Sequence, residues 1–309
     1  MNRSDSDNIL ISLEKKVAGL SPNQLKRLNN CPKLASLHSI YEALGSLLES
    51  DHAYLSQVAE LIGRDPPLTS RLLKLVNSVF YGMDQPCASI EEAALAAGLD
   101  KVSELILSTP IIEDLQQLQQ EDSVVEWTDF WKHSIATAIL TREIFALGQE
   151  RCRGDTDYIA GLIHNVGKII LALVFPEEFA GLTPKSHADE IEETRAEQQA
   201  AGADHAVLGA YYLKAHRLPA EIIESTLCHT RPADAVEHPA LAATVQVASN
   251  LARAAGVPGI EQLPCPGWSD IERLEGWSIL FGEEPAPPYV RDSLEPTLER
   301  LGFFLASMV

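Results

Sequence analysis

GLIHNVGK, at residues 161–168, places His164 and Asn165 in a strongly apolar segment that we expect to be helical and buried. The ring nitrogens of a buried imidazole bond either to neighbouring protein groups or to a metal ion. The segments on either side of this stretch decide between the two states, because a metal site needs several ligands in one place.

Three further histidines lie on segments that the sequence predicts to be helical. The first, His133, shares a helix face with four residues and so points toward the core: Thr137, Leu140, Ile144 and Leu147. His205 follows Asp204, and His229 closes a helix that begins near Pro219. Neutral imidazoles reaching inward from several helices can bind zinc or iron. The alternative is that each is a buried histidine hydrogen-bonded to a neighbour.

Helical periodicity also runs through the first half of the chain. Apolar residues recur there at three- and four-residue steps: Leu68, Leu72, Leu75, Val76 and Val79. The stretch SIEE at residues 89–92 has the form of a capping box, which begins a helix. Strand-like alternation is scarce, and no glycine-rich phosphate loop follows a strand candidate. The sequence therefore predicts an all-α, multi-helix bundle.

Loops and charge runs divide this bundle. We predict a helical leader over residues 1–30, an N-terminal helical subdomain over 31–122, and a second helical block over 126–255. Glycines and prolines between residues 256 and 267 mark a loop, so residues 257–309 form a C-terminal helical tail that ends in an amphipathic helix near 289–306. Trp268 and Trp277 in this tail either pack back onto the bundle or face a partner.

The composition restricts the classes of partner. The net charge of −20 argues against binding to nucleic acid or to an anionic membrane, because both carry phosphate. No apolar run is expected to reach the roughly 18 residues of a membrane span, and the polar start lacks the apolar stretch of a signal peptide. The five cysteines are scattered and odd in number, which is typical of reduced thiols in a cytoplasmic protein.

The stretch 161–168 resembles the signature of the HD-superfamily phosphohydrolases, in which His-Asp is followed by a short apolar stretch, Gly and Lys. In that family a preceding helix supplies a first histidine, which the resemblance assigns to His133, and a later Ala-Asp pair supplies an aspartate. This chain has Asn165 in place of the first aspartate and Ser249 in place of the second. The resemblance thus retains His133 and His164 but lacks two anionic ligands.

A branch of this superfamily is indicated by AELIGRDPPLT at residues 59–69 and RLLKLVNSVFYG at 71–82. Together with DHAVLGA at 204–210, these stretches resemble the HDOD family, the HD-related output domain of bacterial signalling proteins. The resemblance covers about residues 31–255 and implies an HD-domain-like core with an N-terminal helical subdomain. Asn77 and Tyr81 within it either tie a helix end to the next loop or form a partner-binding surface.

These substitutions predict a vestigial site without a metal or other cofactor. An amide or a hydroxyl supplies a dipole but no charge, and two histidines are fewer than the three protein ligands that zinc normally has. We expect Asn165 to hydrogen-bond to His133 or His164 and to convert the metal cage into a neutral network. The vestigial site comprises seven residues, of which only the first two would contact any metal: His133, His164, Asn165, Lys168, His205, His229 and Ser249.

The resemblance implies a non-catalytic bacterial signalling or regulatory module that acts through protein–protein contacts. Its partners would be a sensor kinase, a response regulator or a cyclic-dinucleotide enzyme, and the sequence leaves its oligomeric state open. The alternative is a divergent metal-dependent phosphodiesterase with replacement ligands from Asp157, Asp204 and His229. There Lys168 or His205 would steady the phosphate, whereas Lys168 could otherwise carry its amine to the surface. A third possibility is ligand binding without turnover, for example of a nucleotide.

Overall fold

A computed structural model describes residues 3–31, 89, 92, 127–148, 156–182, 187–215, 218–260, 263–282 and 288–306. Most of the predicted N-terminal subdomain, including Asn77 and Tyr81, lies outside the described residues. Within that subdomain, the N–H of Glu92 donates to the Ser89 hydroxyl over 3.2 Å. This bond is the one that the serine of the predicted capping box is expected to accept.

All the elements within the described ranges are helices, which confirms the all-α prediction. In chain order they are α1 (Arg3–Val17), α2 (Pro22–Asn29), α3 (Trp127–Leu147), α4 (Thr156–Ile163), α5 (Val166–Val174), α6 (Pro176–Leu182), α7 (Glu190–Ala201), α8 (His205–Ala215), α9 (Ala220–Cys228), the 3-10 turn η1 (Pro232–Asp234), α10 (Pro239–Ala254), α11 (Trp268–Ile271), α12 (Glu275–Phe281) and α13 (Pro288–Ala306).

The centre of the bundle is formed by α3, which packs against both α4 and α10, and by α5, which packs against α8. The stretch Thr156–Val174 is long and apolar enough to cross a membrane, which the sequence was not expected to contain. Because 83% of it is buried inside the bundle, its hydropathy is accounted for by the core. The predicted single helix over 161–168 is wrong in one respect, since a turn at residues 164–165 separates α4 from α5.

The leader and the tail both contribute to this core. On α1, Ile9, Leu13 and Val17 are buried, and the helix packs on α8 and α9. In the tail, Trp277 is 1% exposed and packs edge-on against Trp268, with ring centroids 6.4 Å apart. The tail tryptophans therefore pack back onto the bundle.

Glycines permit the two closest helix crossings near the predicted site. A Cβ on Gly167 of α5 would lie 1.7 Å from the carbonyl oxygen of His205, at the start of α8. A Cβ on Gly161 of α4 would lie 2.5 Å from the Thr141 Oγ1 of α3. Both distances are far below van der Waals contact, so the backbones that carry the histidines can approach only because these side chains are absent.

Candidate functional site: a row of buried histidines

Four histidines from different parts of the chain lie side by side in the core, and we call them the histidine row. Ring centroids are 5.6 Å apart between His133 and His164, 5.2 Å between His164 and His229, and 5.2 Å between His229 and His205. Each side chain is 2% exposed or less. The structure therefore brings together the four histidines that the sequence singled out separately.

The helices fix the order of the row. His133 lies within α3, His164 in the turn between α4 and α5, His205 at the first position of α8, and His229 directly after α9. The turn at residues 164–165 places the imidazole of His164 and the amide of Asn165 between the two apolar helices α4 and α5. The close crossing at Gly167 then brings the start of α8, and with it His205, against α5.

The His133 end of the row is held by uncharged groups. The Nδ1 of His133 lies 2.7 Å from the carbonyl oxygen of Val257, which can only accept, so Nδ1 carries the proton. The Nε2 of the neutral ring is then an acceptor, and the hydroxyl of Ser249, 3.2 Å away, donates to it. Ser249 thus supplies a hydrogen to His133 Nε2, the nitrogen through which this ring would otherwise bind a metal ion.

The two middle histidines are oriented by backbone carbonyls of the preceding helical turn. His164 Nδ1 donates to Gly161 O over 2.7 Å, and His229 Nδ1 donates to Thr226 O over 2.8 Å. These bonds place the proton on Nδ1 and, in the neutral ring, the lone pair on Nε2. Metal-binding histidines are often oriented by the same kind of bond, so this feature suits either a ligand or a hydrogen-bond acceptor.

The His205 end of the row is charged. One carboxylate oxygen of Glu197 on α7 accepts from both His205 Nδ1, over 2.6 Å, and the backbone N–H of His205, over 2.9 Å. His205 Nε2 lies 3.2 Å from His229 Nε2. One of these two Nε2 atoms must carry a proton for the contact to be a hydrogen bond, and the carboxylate of Glu197 favours the extra proton on His205, which makes His205 the imidazolium.

Electrostatics support this assignment. Burial alone would raise the pKa of Glu197, but the charge and hydrogen bonds of His205, together with the charge of Lys168, lower it below the ordinary value of 4.5. Burial alone would lower the pKa of His205, but the charge of Glu197 raises it above the ordinary value of 6.5. The two groups form a buried imidazolium–carboxylate pair.

Lys168 does not reach the surface. Its amine lies 2.8 Å from Glu193 on α7, and the two side chains are 4% and 12% exposed. The alternative of a surface lysine is therefore wrong, because Glu193 of α7 pairs with the amine inside the protein. Asn165 is also buried, immediately before α5. The bonds described for His133 and His164 run to Val257, Ser249 and Gly161, and the bond expected from Asn165 stays a prediction.

The carboxylates proposed as replacement ligands have structural roles. Asp157 lies 3.4 Å from Arg142, and Asp204 accepts from the backbone N–H of Val207 at the start of α8. Glu193 and Glu197 were missed by the sequence reasoning, although their four-residue spacing places both on one face of α7. That spacing was the available signal, but the polar surroundings of α7, EIEETRAEQQAA, gave no reason to bury that face.

The described donors do not fit the divalent metal that the HD superfamily implies. Over the described ranges, no three His, Cys, Asp or Glu side chains are arranged to hold one metal ion. In addition, Ser249 and His205 direct hydrogens at the Nε2 atoms of His133 and His229. The imidazolium of His205 also has no lone pair on either ring nitrogen with which to bind a metal ion.

Comparisons with known proteins agree with this fold. The model of the HDOD domain family matches residues 34–232, more than half of the chain. An uncharacterized protein of Treponema pallidum is 29% identical over 262 residues, which are 82% of this chain and 48% of that protein. The chain thus spans about half the length of this curated relative.

Two solved structures share the fold. An HDOD domain protein of unknown function from Geobacter sulfurreducens has a TM-score of 0.76 at 20% identity, with 93% of this chain and 97% of that chain covered. A presumed phosphohydrolase from Shewanella amazonensis has a TM-score of 0.65 at 17% identity, with 93% and 98% covered. With its helical core, its row of histidines and the match over residues 34–232, this chain belongs to the HDOD family.

Proposed function

We propose that this chain is a non-catalytic regulatory module that acts through contacts with other proteins. The observation that carries the proposal is a pair of short contacts in the histidine row: Ser249 Oγ and His205 Nε2 each lie 3.2 Å from the Nε2 atom of a neighbouring histidine, which we interpret as follows. Ser249 donates to His133 Nε2, and His205 donates to His229 Nε2. Protein hydrogens thus engage nitrogens that a hydrolytic metal would need.

The substituted ligands support the same conclusion from their chemistry. In metal-dependent hydrolysis a bound cation acidifies water and neutralises charge at the reacting phosphate, and carboxylate ligands help to hold that cation. Asn165 and Ser249 are uncharged, and Glu197 is already paired with His205. In this proposal the row instead serves as a buried polar network that fixes the relative positions of α3, α5, α8 and α9.

Membership of the HDOD family supports a role in bacterial signal transduction, with a sensor kinase, a response regulator or a cyclic-dinucleotide enzyme as partner. The net charge of −20 suits a partner with a basic surface, because complementary charge speeds association and disfavours wrong partners. We place this activity in the cytoplasm. Affinity capture of the full chain from its native cells tests the partner class, and recovery of nucleic acid alone would contradict it.

A divergent phosphohydrolase is the second candidate. One observation favours it: His133, His164 and His229 all donate Nδ1–H to backbone carbonyls, which orients Nε2 as in metal-binding histidines. The structural similarity to the presumed phosphohydrolase of Shewanella amazonensis is consistent with it at the level of the fold.

Metal content and turnover distinguish the two candidates. The full chain is purified without chelator, its metals are measured, and hydrolysis of bis(p-nitrophenyl) phosphate is followed with added Mn²⁺. We expect less than one metal ion per chain, no turnover, and a Tm that chelator leaves unchanged. Stoichiometric metal together with turnover that His164→Gln abolishes, in a variant that keeps its helical circular dichroism, would overturn the regulatory proposal.

A double variant, Asn165→Asp with Ser249→Asp, serves as the matched gain-of-function control. It restores both carboxylates of the HD signature and removes the hydroxyl that donates to His133. We expect it to bind Mn²⁺ more tightly than the wild type in a calorimetric titration. Equal, tight binding by the two proteins would show that the missing charges do not limit metal binding and would count against the proposal.

A further inference from the structure

A second candidate site lies along α10, on a face that adjoins the one carrying Ser249. A cleft of about 580 Å³ opens between the beginning of α7, the middle of α10 and the segment 263–275. Its volume falls within the range of small-molecule sites in proteins. Its apolar walls are formed by five side chains: Ile191, Leu263, Pro264, Pro266 and Leu274.

The floor of the cleft is polar, buried and rigidly bonded. Gln246, Asn250 and Arg253 of α10 are each less than a tenth exposed. The Gln246 amide donates to Thr230 O over 3.2 Å and accepts from the backbone N–H of Gly276 over 2.8 Å. Arg253 Nη2 donates to Asn250 Oδ1 and to Glu190 Oε1, both over 2.7 Å. A preorganised floor of this kind lowers the ordering cost of binding a ligand.

The acidic side chains around the cleft all have protein partners. Each accepts at least one hydrogen bond: Asp189 from Glu192 N–H, Glu190 from Arg253, Asp270 from Gly267 N–H, and Glu275 from Ala233 N–H. The formal charges of the side chains that line the cleft nearly cancel. The ligand charge that the cleft prefers therefore depends on which of these side chains are already hydrogen-bonded to the protein.

Two arginines at the rim make far fewer contacts with described protein groups. The guanidinium of Arg231 has no hydrogen bond or ion pair with any described residue, and it is solvent-exposed. Arg273 is 79% exposed, and its one described ion pair, with Asp270, is long at 3.9 Å. A ligand that enters the cleft therefore meets guanidinium donors at the rim and carboxylates that each already accept a hydrogen bond from the protein. Guanidinium groups bind carboxylate and phosphate through paired N–H donors.

We propose that this cleft binds a small organic anion, a carboxylate or a phosphate ester with an apolar body. Arg231 and Arg273 hold the anionic group at the rim, and the proline and leucine side chains enclose the body. The cleft is built largely by α10 and the tail, beyond the residues 34–232 that match the family model. The proposal goes beyond the regulatory function and uses none of the histidine row, so either can fail alone.

Calorimetric titration of the full chain with 1-naphthyl phosphate, 1-naphthoate and uncharged 1-naphthol tests the proposal. We expect saturable binding of at least one of the two anions at one site per chain, and weaker binding of naphthol. Comparison of phosphate with carboxylate identifies the anionic group that the cleft prefers. Absence of saturable binding by both anions, or naphthol binding as tight as that of the tighter anion, would overturn the proposal.

The double variant Arg231→Gln with Arg273→Gln locates the site. Both side chains are on the surface, so the fold should be unaffected. We expect each to contribute up to about fivefold in affinity, since an exposed charge contributes at most about 1 kcal/mol. Arg195→Gln is the matched control, because Arg195 is also exposed and unpaired within the described ranges but does not line this cleft. If Arg195→Gln weakened binding of the anion equally, the effect would come from the net charge of the protein and not from this cleft, which would contradict the assignment.

Glu190→Gln provides an independent test of the floor. This substitution removes the carboxylate that holds Arg253 and makes the cleft more positive by one charge. We expect tighter binding of the preferred naphthyl anion, with little change for naphthol. Weaker anion binding by a variant that keeps the wild-type Tm would contradict the proposed polarity of the cleft.

Discussion

The two ends of the histidine row are buried to the same extent but are stabilised in different ways. At one end, His133 is held by a backbone carbonyl and a hydroxyl, with no formal charge on either partner. At the other end, His205 and Glu197 form an ion pair, with Lys168 and Glu193 paired close by. The end that contains Ser249 is neutral, whereas the end that contains the Glu197 carboxylate also contains a cation to match it. Burial alone therefore does not determine the protonation state of a histidine in this core.

The largest effect is expected at the charged end. Glu197→Gln removes the anion and leaves His205 without a counter-charge in the core. Breaking a buried pair in this way should lower the free energy of unfolding by about 3 to 5 kcal/mol. Urea denaturation measures the change, and Glu272→Gln, at an exposed position, is the control and should change stability by less than about 0.5 kcal/mol. If Glu197→Gln lowered the free energy of unfolding by less than 1 kcal/mol, the His205 end would depend on charge no more than the His133 end does.

Gly167→Ala attacks the same end through the backbone. The added methyl would overlap the carbonyl of His205, so α5 and α8 must separate. We expect a loss of about 1 to 3 kcal/mol from overpacking. Gly181→Ala in α6 is the matched control, because its Cβ would meet nothing within 4 Å and alanine favours a helix. If both variants had the same Tm, the close crossing would not constrain the row.

The charged end should also make stability depend on pH. The pKa of His205 is raised by folding, so its contribution is complete below 6.5 and is lost as pH rises through the raised value. The pKa of Glu197 is lowered, so its contribution is present above 4.5 and is lost as pH falls through the lowered value. The difference in unfolding free energy between wild type and Glu197→Gln should therefore be largest between pH 4.5 and 6.5. A difference that stays constant up to about pH 10 would rule out the imidazolium.

The smallest effect is expected at the neutral end. Ser249→Ala removes the hydroxyl that donates to His133, and the loss of one neutral hydrogen bond should cost about 1 kcal/mol. Because the substitution leaves no charged group without a partner, the cost should be the same at pH 5 and pH 9. Ser278→Ala, at an exposed position, is the control. A cost for Ser249→Ala as large as that for Glu197→Gln would remove the distinction between the two ends.

The sequence was sufficient for the fold and for one side of the site. Inward-facing helical spacing placed His133 in the core, and the helix that His229 closes begins within one residue of the expected position. The charged side was not predictable in this way. Glu197 reaches His205 across a helix junction, and a polar helix such as α7 shows no sign in its sequence that one face is buried. The Val257 carbonyl could not be predicted from residue type either, because every residue carries that group.

The position of Val257 determines where a fragment that keeps the histidine row can end. The carbonyl that fixes His133 lies just after α10, and Ser249 lies on α10 itself, so both fall outside residues 34–232. A fragment excised at those limits would also lack the helix against which α3 packs. The segment that the family model matches is therefore shorter than the unit that holds the histidine row, and any transplant of this module into another protein must take α10 and the residues that follow it.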